Sequence, residues 1–479
     1  MCNRVFLLAA ILPAFTAVSA LSTSIFAADG SLRVGTSVVD ITPTRLPVSM
    51  VGSFTDRKAT SVNDPLNARC LIVDDGDRRV VLMTVDSCLI SRELFDDAKR
   101  KAAELTGIPA AHMLMSATHT HTAAPVIDMA QIRADPAYNK FLTERIVEAV
   151  RLAASRLQPA RIGWSVGKLP EEVHNRRWKM KPGTIPTSPL GGTNDRVRTN
   201  PGVGNPGLLE PAGPTDPDVM LLAAVTPDGK PLALYCVYSL HYVGGIPAGA
   251  LSADYFGEFA KQARERFVGD DDNSPFVALL ANGTSGDINN VDVRNRLPAI
   301  EPLVQMRKVA ARLVDVAANE FRNMKFYERT KLQARESELT LKVRKPSAEE
   351  IERARTILAT TDHAPANVVR DVYAGETLVL ADWPYEVRLK LQALQIGDLA
   401  ILANPCEAFV DVGLELKRRR PIRPTYVVGL ANGYNGYLPT PQQHELGGYE
   451  TWRSRWSYLE PEASTKIVAE LLMLLGSAP

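Results

Sequence analysis

Two hydrophobic periods alternate along the chain. Residues 79–85 form a β-branched apolar run that ends at Asp86-Ser87, and residues 113–117, 219–225, 231–240, 276–280, 385–396 and 399–402 are further runs of strand length. Between them lie segments with apolar residues at helical spacing. The first opens at Ser91, a capping residue, and runs through Glu104, with Leu94, Ala98, Ala102 and Leu105 near one face. Others span 137–157, 253–267, 302–324, 408–418 and 461–475. Pro227-Asp228-Gly229-Lys230 predicts a hairpin turn, and Gly397-Asp398 predicts a second. This interleaving predicts an α/β fold of mixed sheets flanked by helices. Two stretches break the pattern. Residues 181–218 are rich in Pro and Gly and poor in apolar residues, which predicts a long lid or binding loop. Residues 347–360 predict an isolated, charged surface helix. A weak boundary falls at 326–331, but chemistry-bearing residues follow it, so 28–479 is expected to be one catalytic unit.

The amino end reads differently. Arg4 is the only charge before Asp29, an apolar run covers 5–18, and Val18-Ser19-Ala20 and Ile25-Phe26-Ala27 both fit small-residue cleavage sites. Residues 1–27 are therefore expected to be a signal peptide and the mature protein secreted or periplasmic. No later apolar run is long enough to span a bilayer. Lys and Arg number 55 against 54 Asp and Glu, so no basic face is forced and nucleic acid is not an expected partner. Cys70, Cys88, Cys236 and Cys406 are widely spaced in apolar stretches, which reads as buried thiols, with one bridge still permitted. Nothing in the sequence indicates an oligomeric state.

Candidate chemistry gathers where apolar runs end. Thr118-His119-Thr120-His121 follows 113–117, and strand alternation would point both imidazoles to one side. Such a pair suits a transition metal, or one ligand and one substrate contact, or two structural histidines. His241 follows another apolar run and precedes a Gly pair. The 276–280 run opens into the polar loop 282–290, an active-site loop or a plain turn. Glu407 stands at a helix start, as a capping carboxylate or a metal ligand. A tyrosine-rich loop, 431–437, and then Gly447-Gly448-Tyr449-Glu450 complete the set. Together these five junctions suit one mononuclear zinc site.

At these residues the sequence resembles the neutral/alkaline (non-lysosomal) ceramidase family. The resemblance starts at Arg33-Val34-Gly35 and Asp40-Ile41-Thr42-Pro43. It continues through Leu66-Asn67-Ala68-Arg69, Val85-Asp86, Ala117-Thr118-His119-Thr120-His121 and Asn175-Arg176. His241, Gly286-Asp287, Pro405-Cys406-Glu407, Gly436-Tyr437-Leu438-Pro439-Thr440 and Tyr449-Glu450 complete it. It implies the family's catalytic-domain fold without the carboxyl-terminal β-sandwich, and one zinc ion per chain on His119, His241, Glu407 and Tyr437. His121, Arg176, Asp287 and Tyr449 would be catalytic, with Tyr449 near the oxyanion. Asn175 and Asn289 would contact substrate. The implied reaction is hydrolysis of an N-acyl amide bond in a small-molecule or lipid-like substrate. The family's loop Ser-Pro is here Asn289-Asn290, its Ser-Gly-Pro after the second His is Thr122-Ala123-Ala124-Pro125, and Cys406 replaces a Gly. The ligand set is retained while substrate-facing positions differ. This pattern predicts a zinc hydrolase with a changed substrate, acting on an amide or on another bond such as an ester or a sugar N-acyl group. A non-catalytic binding protein of the same fold is the alternative.

Overall fold

The computed structural model describes residue 1 and residues 31–476 except 272, 296–300, 363 and 421–423, so the expected signal peptide lies outside the described residues. Three sheets carry the architecture. The first runs in the order Met113–Ala117, Arg79–Val85, Asn67–Asp74, Arg33–Asp40, Gln158–Pro159. The second is Val277–Asn282, Pro231–Tyr238, Asp218–Val225, Arg161–Lys168. The third is Leu332–Lys342, Glu386–Ile396, Leu399–Ala403, Thr425–Val428. Each sheet is antiparallel except for one parallel pair at an edge. These pairs are Arg79–Val85 with Met113–Ala117, Pro231–Tyr238 with Val277–Asn282, and Leu399–Ala403 with Thr425–Val428. A parallel pair needs a crossover, and a helix supplies each one: Arg92–Thr106, Asp254–Val268 and Val410–Arg419.

One face of every sheet turns inward. Val34, Leu82 and Leu114 of the first sheet meet Met220, Leu222 and Tyr235 of the second and Leu394, Ile401 and Tyr426 of the third in one apolar cluster. The outer faces are covered by helix pairs: Arg92–Thr106 and Pro136–Ser155 on the first, Asp254–Val268 and Val304–Arg322 on the second, Val410–Arg419 and Ala463–Leu474 on the third. Strands buried on both faces read as continuous apolar runs rather than alternations, which is why they stood out in the sequence. The α/β class with mixed sheets is as expected.

Local details differ from the sequence reading. Residues 181–218 are not a structureless loop, because Val197–Thr199 and Leu208–Pro211 pair on either side of Arg177–Met180. The charged helix Ala348–Thr360 begins at Ser347 with a capping box, but it is not isolated: it packs on Val368–Asp382, a helix the periodicity did not reveal. That helix buries Tyr373 against Trp456 and Phe54 by aromatic contacts rather than by a regular aliphatic stripe. Cys70, Cys88, Cys236 and Cys406 are buried free thiols. Among the described residues no helix is long and apolar enough to cross a membrane.

Candidate metal centre

The carboxyl ends of the three parallel pairs face one point, the location where α/β sheets leave their strand-end loops free for chemistry. Thr118–His121 follows Met113–Ala117, His241 follows Pro231–Tyr238, and 283–287 follows Val277–Asn282. Glu407 follows Leu399–Ala403, and Tyr434 and Tyr437 follow Thr425–Val428.

His119 and His121 do converge, with their Nε2 atoms 3.2 Å apart. Strand alternation is not the cause. The strand has ended at Ala117, and His119 has φ of 76°, a left-handed conformation costing about 1–3 kcal/mol for a residue with a Cβ. The loop after Arg79–Val85 holds it there: the His119 N–H donates to the Ser87 carbonyl at 2.8 Å, and Nδ1 lies 2.8 Å from the Cys88 carbonyl. His241 is oriented in the same way, its Nδ1 3.0 Å from the Ser285 carbonyl. Two glycines allow the loops to close. A Cβ on Gly283 would sit 2.5 Å from Ser239 Oγ, and one on Gly286 would sit 2.3 Å from the Glu407 carbonyl oxygen. Glu407 is not a helix cap. It pairs with Tyr437 in a short parallel ladder, and its Oε1 accepts the Tyr434 hydroxyl at 2.8 Å.

A carbonyl oxygen can only accept, so the Nδ1 of both His119 and His241 carries the proton and each Nε2 presents a lone pair. Those two Nε2 atoms face each other at 3.0 Å, and Glu407 Oε2 lies 3.2 Å from His119 and 3.7 Å from His241. Oε2 is buried without a hydrogen-bond partner. Electron pairs converging in a buried pocket need a cation between them. Positive charge, carried by a proton or a metal ion, is favoured at His119 and not at the other two histidines. Burial works against a charged His119, but Cys88 and Glu407 outweigh it and raise its pKa. Burial lowers His121, with His119 and Arg176 adding to the effect; burial likewise lowers His241, with Arg176 and then His119. The residues therefore fit a metal such as zinc, whose donors are imidazole and carboxylate. Cys88, His119 and His121 form a second group of close ligand atoms that shares His119 with the first.

Arg176 surrounds this centre with donors. Its Nη2 donates to the Tyr437 hydroxyl oxygen at 3.1 Å and to the Gly286 carbonyl at 2.7 Å, and its Nε donates to Glu450 at 3.1 Å. Glu450 also accepts from Arg177 and Thr199, both at 2.6 Å. Burial alone would raise the Glu450 carboxyl, but Arg177 and Arg176 hold it below the usual carboxylate range. Tyr449 lines a cavity of about 620 Å³ that opens over His119, His121 and Glu407, its ring 5.7 Å from that of Tyr437.

Asp287 and Asn175 stand back from this cavity. Asp287 accepts from Asn175 Nδ2 and from the Val410 N–H, both at 2.8 Å, so it ties the 283–287 loop to the helix after Glu407. Asn289 lies in a smaller neighbouring recess. Sequence reasoning passed over Tyr242, whose ring stacks on His121 at 3.8 Å, and Cys88 in the cavity wall. The position of Tyr242 beside His241 was the one available signal for it.

No family model matches the chain. A neutral ceramidase of Mycobacterium tuberculosis (strain ATCC 25618 / H37Rv) is 27% identical over 152 residues, which is 29% of this chain and about a quarter (24%) of that relative's length. The crystal structure of the neutral ceramidase from Pseudomonas aeruginosa aligns with a TM-score of 0.67 at 18% identity, covering 94% of this chain and 76% of that one. A ceramidase complexed with C2 aligns with a TM-score of 0.68 at 17% identity, covering 93% and 75%. The chain is thus neutral-ceramidase-like, with the fold of those enzymes across nearly its whole length.

Proposed function

We propose that the chain is a zinc-dependent hydrolase that cleaves an N-acyl amide bond. The observation that carries this reading is the pair of opposed lone pairs on His119 and His241 beside the unpartnered Glu407 oxygen. Those three residues and Tyr437 would hold the ion; burial and then Glu407 push the Tyr437 hydroxyl pKa up, while Arg176, donating to its oxygen, works in the opposite direction. When bound, zinc supplies Lewis acidity, polarising an acyl oxygen and lowering the pKa of water. His121, which burial keeps neutral, lines the cavity and would take a proton from the attacking water and pass it to the departing amine. Tyr449 would donate to the developing oxyanion, a contribution on the order of 3 kcal/mol for one well-placed donor. Asp287 and Asn175, bonded to each other and, through Asp287, to the Val410 N–H behind the cavity, would position the loop. The names of the related ceramidases point to an N-acylated lipid as substrate, and Asn289 in place of the family's Ser points to one other than theirs. The amino-terminal apolar run supports export to the periplasm or beyond.

Elemental analysis of the purified protein tests the site. About one zinc per chain, lost in a His119→Ala/His241→Ala variant, is the expected result for a closed His/carboxylate set. Chelation should abolish hydrolysis and added zinc should restore it. No zinc after reconstitution would remove the mechanism and leave a binding protein. Turnover of an ester or N-acyl sugar in place of N-acyl lipids, absent in His119→Ala, would reassign the bond.

A further inference from the structure

Two recesses of unlike size meet beside the histidines. The larger, about 620 Å³, is walled by Phe54, Met129, Ile132, Trp452 and Trp456. The smaller, about 220 Å³, is lined by Asn200, Asn289 and Asn290 together with Val203, Val243, Val291 and Val293. Arg176, Asn200 and Tyr242 border both, so a ligand reaching from one to the other passes the metal centre. With a water-sized group occupying ~30 Å³, the larger recess takes roughly twenty heavy atoms and the smaller roughly seven. The first matches one long acyl chain. The second is too small for another.

The chemistry of the smaller recess narrows its occupant. A carboxamide both donates and accepts, as a hydroxyl does. No carboxylate lines the recess among the described residues, and the Arg176 charge is matched by buried Glu450. A charged head therefore finds no counter-ion there. Asn289 is held in orientation, donating to Asn200 Oδ1 at 2.7 Å and accepting the Val291 N–H at 3.0 Å. The Asn290 side chain makes no hydrogen bond among the described residues. Asn289-Asn290 is also the dipeptide that stands where the resembled family carries Ser-Pro. We propose that the substrate has a single acyl chain, and that its amine half is a small, uncharged, hydroxylated head bound by Asn289 and Asn290. This rests on the amide-hydrolase reading above.

Three N-lauroyl amides with a common acyl chain test it on the zinc-loaded protein: those of 2-amino-1,3-propanediol, of methylamine and of sphingosine. The diol amide should have the highest kcat/KM, by about tenfold or more, because a site built to bond a hydroxyl discriminates against its absence. In Asn290→Leu, and again in Asn289→Ala, the diol-to-methyl ratio should fall about tenfold, through KM. Circular dichroism melts establish that each variant is folded. Equal or better cleavage of the sphingosine amide, or an unchanged ratio in both folded variants, would overturn the inference and leave amide hydrolysis standing. No turnover of any of the three by zinc-loaded protein would overturn both.

Discussion

Tyr434 shows how one hydroxyl supports the centre. It occupies Glu407 Oε1 and so leaves Oε2 as the free ligand atom. Tyr434→Phe removes that bond and keeps the ring. Metal affinity should drop about 10–100-fold, the usual effect of losing a group that orients a ligand, as read by competition with a chromophoric chelator. Glu450 is the complementary case. Its one carboxylate satisfies both Arg176 and Arg177, and neither partner is more than 6% exposed at its side chain. Glu450→Gln leaves two buried guanidinium groups short of an anion, and stability should fall by about 3–5 kcal/mol in urea unfolding. Of the site, the sequence reveals the candidate ligands because His, Glu and Tyr at run ends are rare and conspicuous. It hides Tyr242 and the distribution of the Glu450 charge, since an aromatic or carboxylate in a loop has many possible partners and the chain alone does not choose one.

At the scale of elements, strand ends and the segments behind them set the geometry. Asn432, in the loop after Thr425–Val428, binds the back of the Met113–Ala117 strand: its N–H donates to the Met115 carbonyl at 2.8 Å, and its Oδ1 accepts Lys99 Nζ at 2.6 Å. Lys99 lies on the Arg92–Thr106 helix and is 1% exposed. Burial is the main force that pushes its pKa down from 10.5 to about 7. The unfolded chain keeps this proton up to about 10.5 and the folded chain releases it near 7, so between those values the unfolded state binds more protons and stability rises with pH. The span corresponds to roughly 5 kcal/mol. Lys99→Met should flatten stability across this window in denaturant titrations at successive pH values, and should be at least as stable at pH 7. Strands such as Met113–Ala117 and Leu399–Ala403 are legible in sequence because both their faces are buried, whereas Leu332–Lys342, largely exposed on one face, is not. The Val368–Asp382 helix is not, because its burial depends on aromatic partners brought from residues 54 and 452–456.

For the molecule as a whole, three sheets with their helix pairs share one inner core, in which Leu32 and Val34 contribute beside Leu332 and Leu394. The segment at 326–331 does not separate them. Tyr327 bridges back to Ile162, and the Leu32 N–H donates to the Glu328 carbonyl at 3.1 Å. Cutting the chain there exposes the inner faces of all three sheets. We expect neither 31–326 nor 332–476 to unfold cooperatively alone, while the full chain shows coincident transitions by tryptophan fluorescence and far-ultraviolet circular dichroism. A cooperative melt of either piece would contradict this.

By itself, the sequence determined about half of the sheet strands, most helices, the α/β class and the candidates His119, His121, His241 and Glu407, with Tyr437 added by the family resemblance; it did not mark Arg33–Asp40, Asn67–Asp74, Arg161–Lys168 or Leu332–Lys342. Apolar runs and the residues that end them follow from local burial and chemistry, which the chain carries in order. The tertiary structure decided the rest. Three loops separated by more than a hundred residues meet because three parallel strand pairs point their carboxyl ends at one place, and that meeting opposes two imidazole lone pairs at 3.0 Å. The same convergence placed Asp287 and Asn175 behind the site and set a recess bordered by three asparagines beside the larger cavity. These are distances between segments remote in sequence, and only packing sets them.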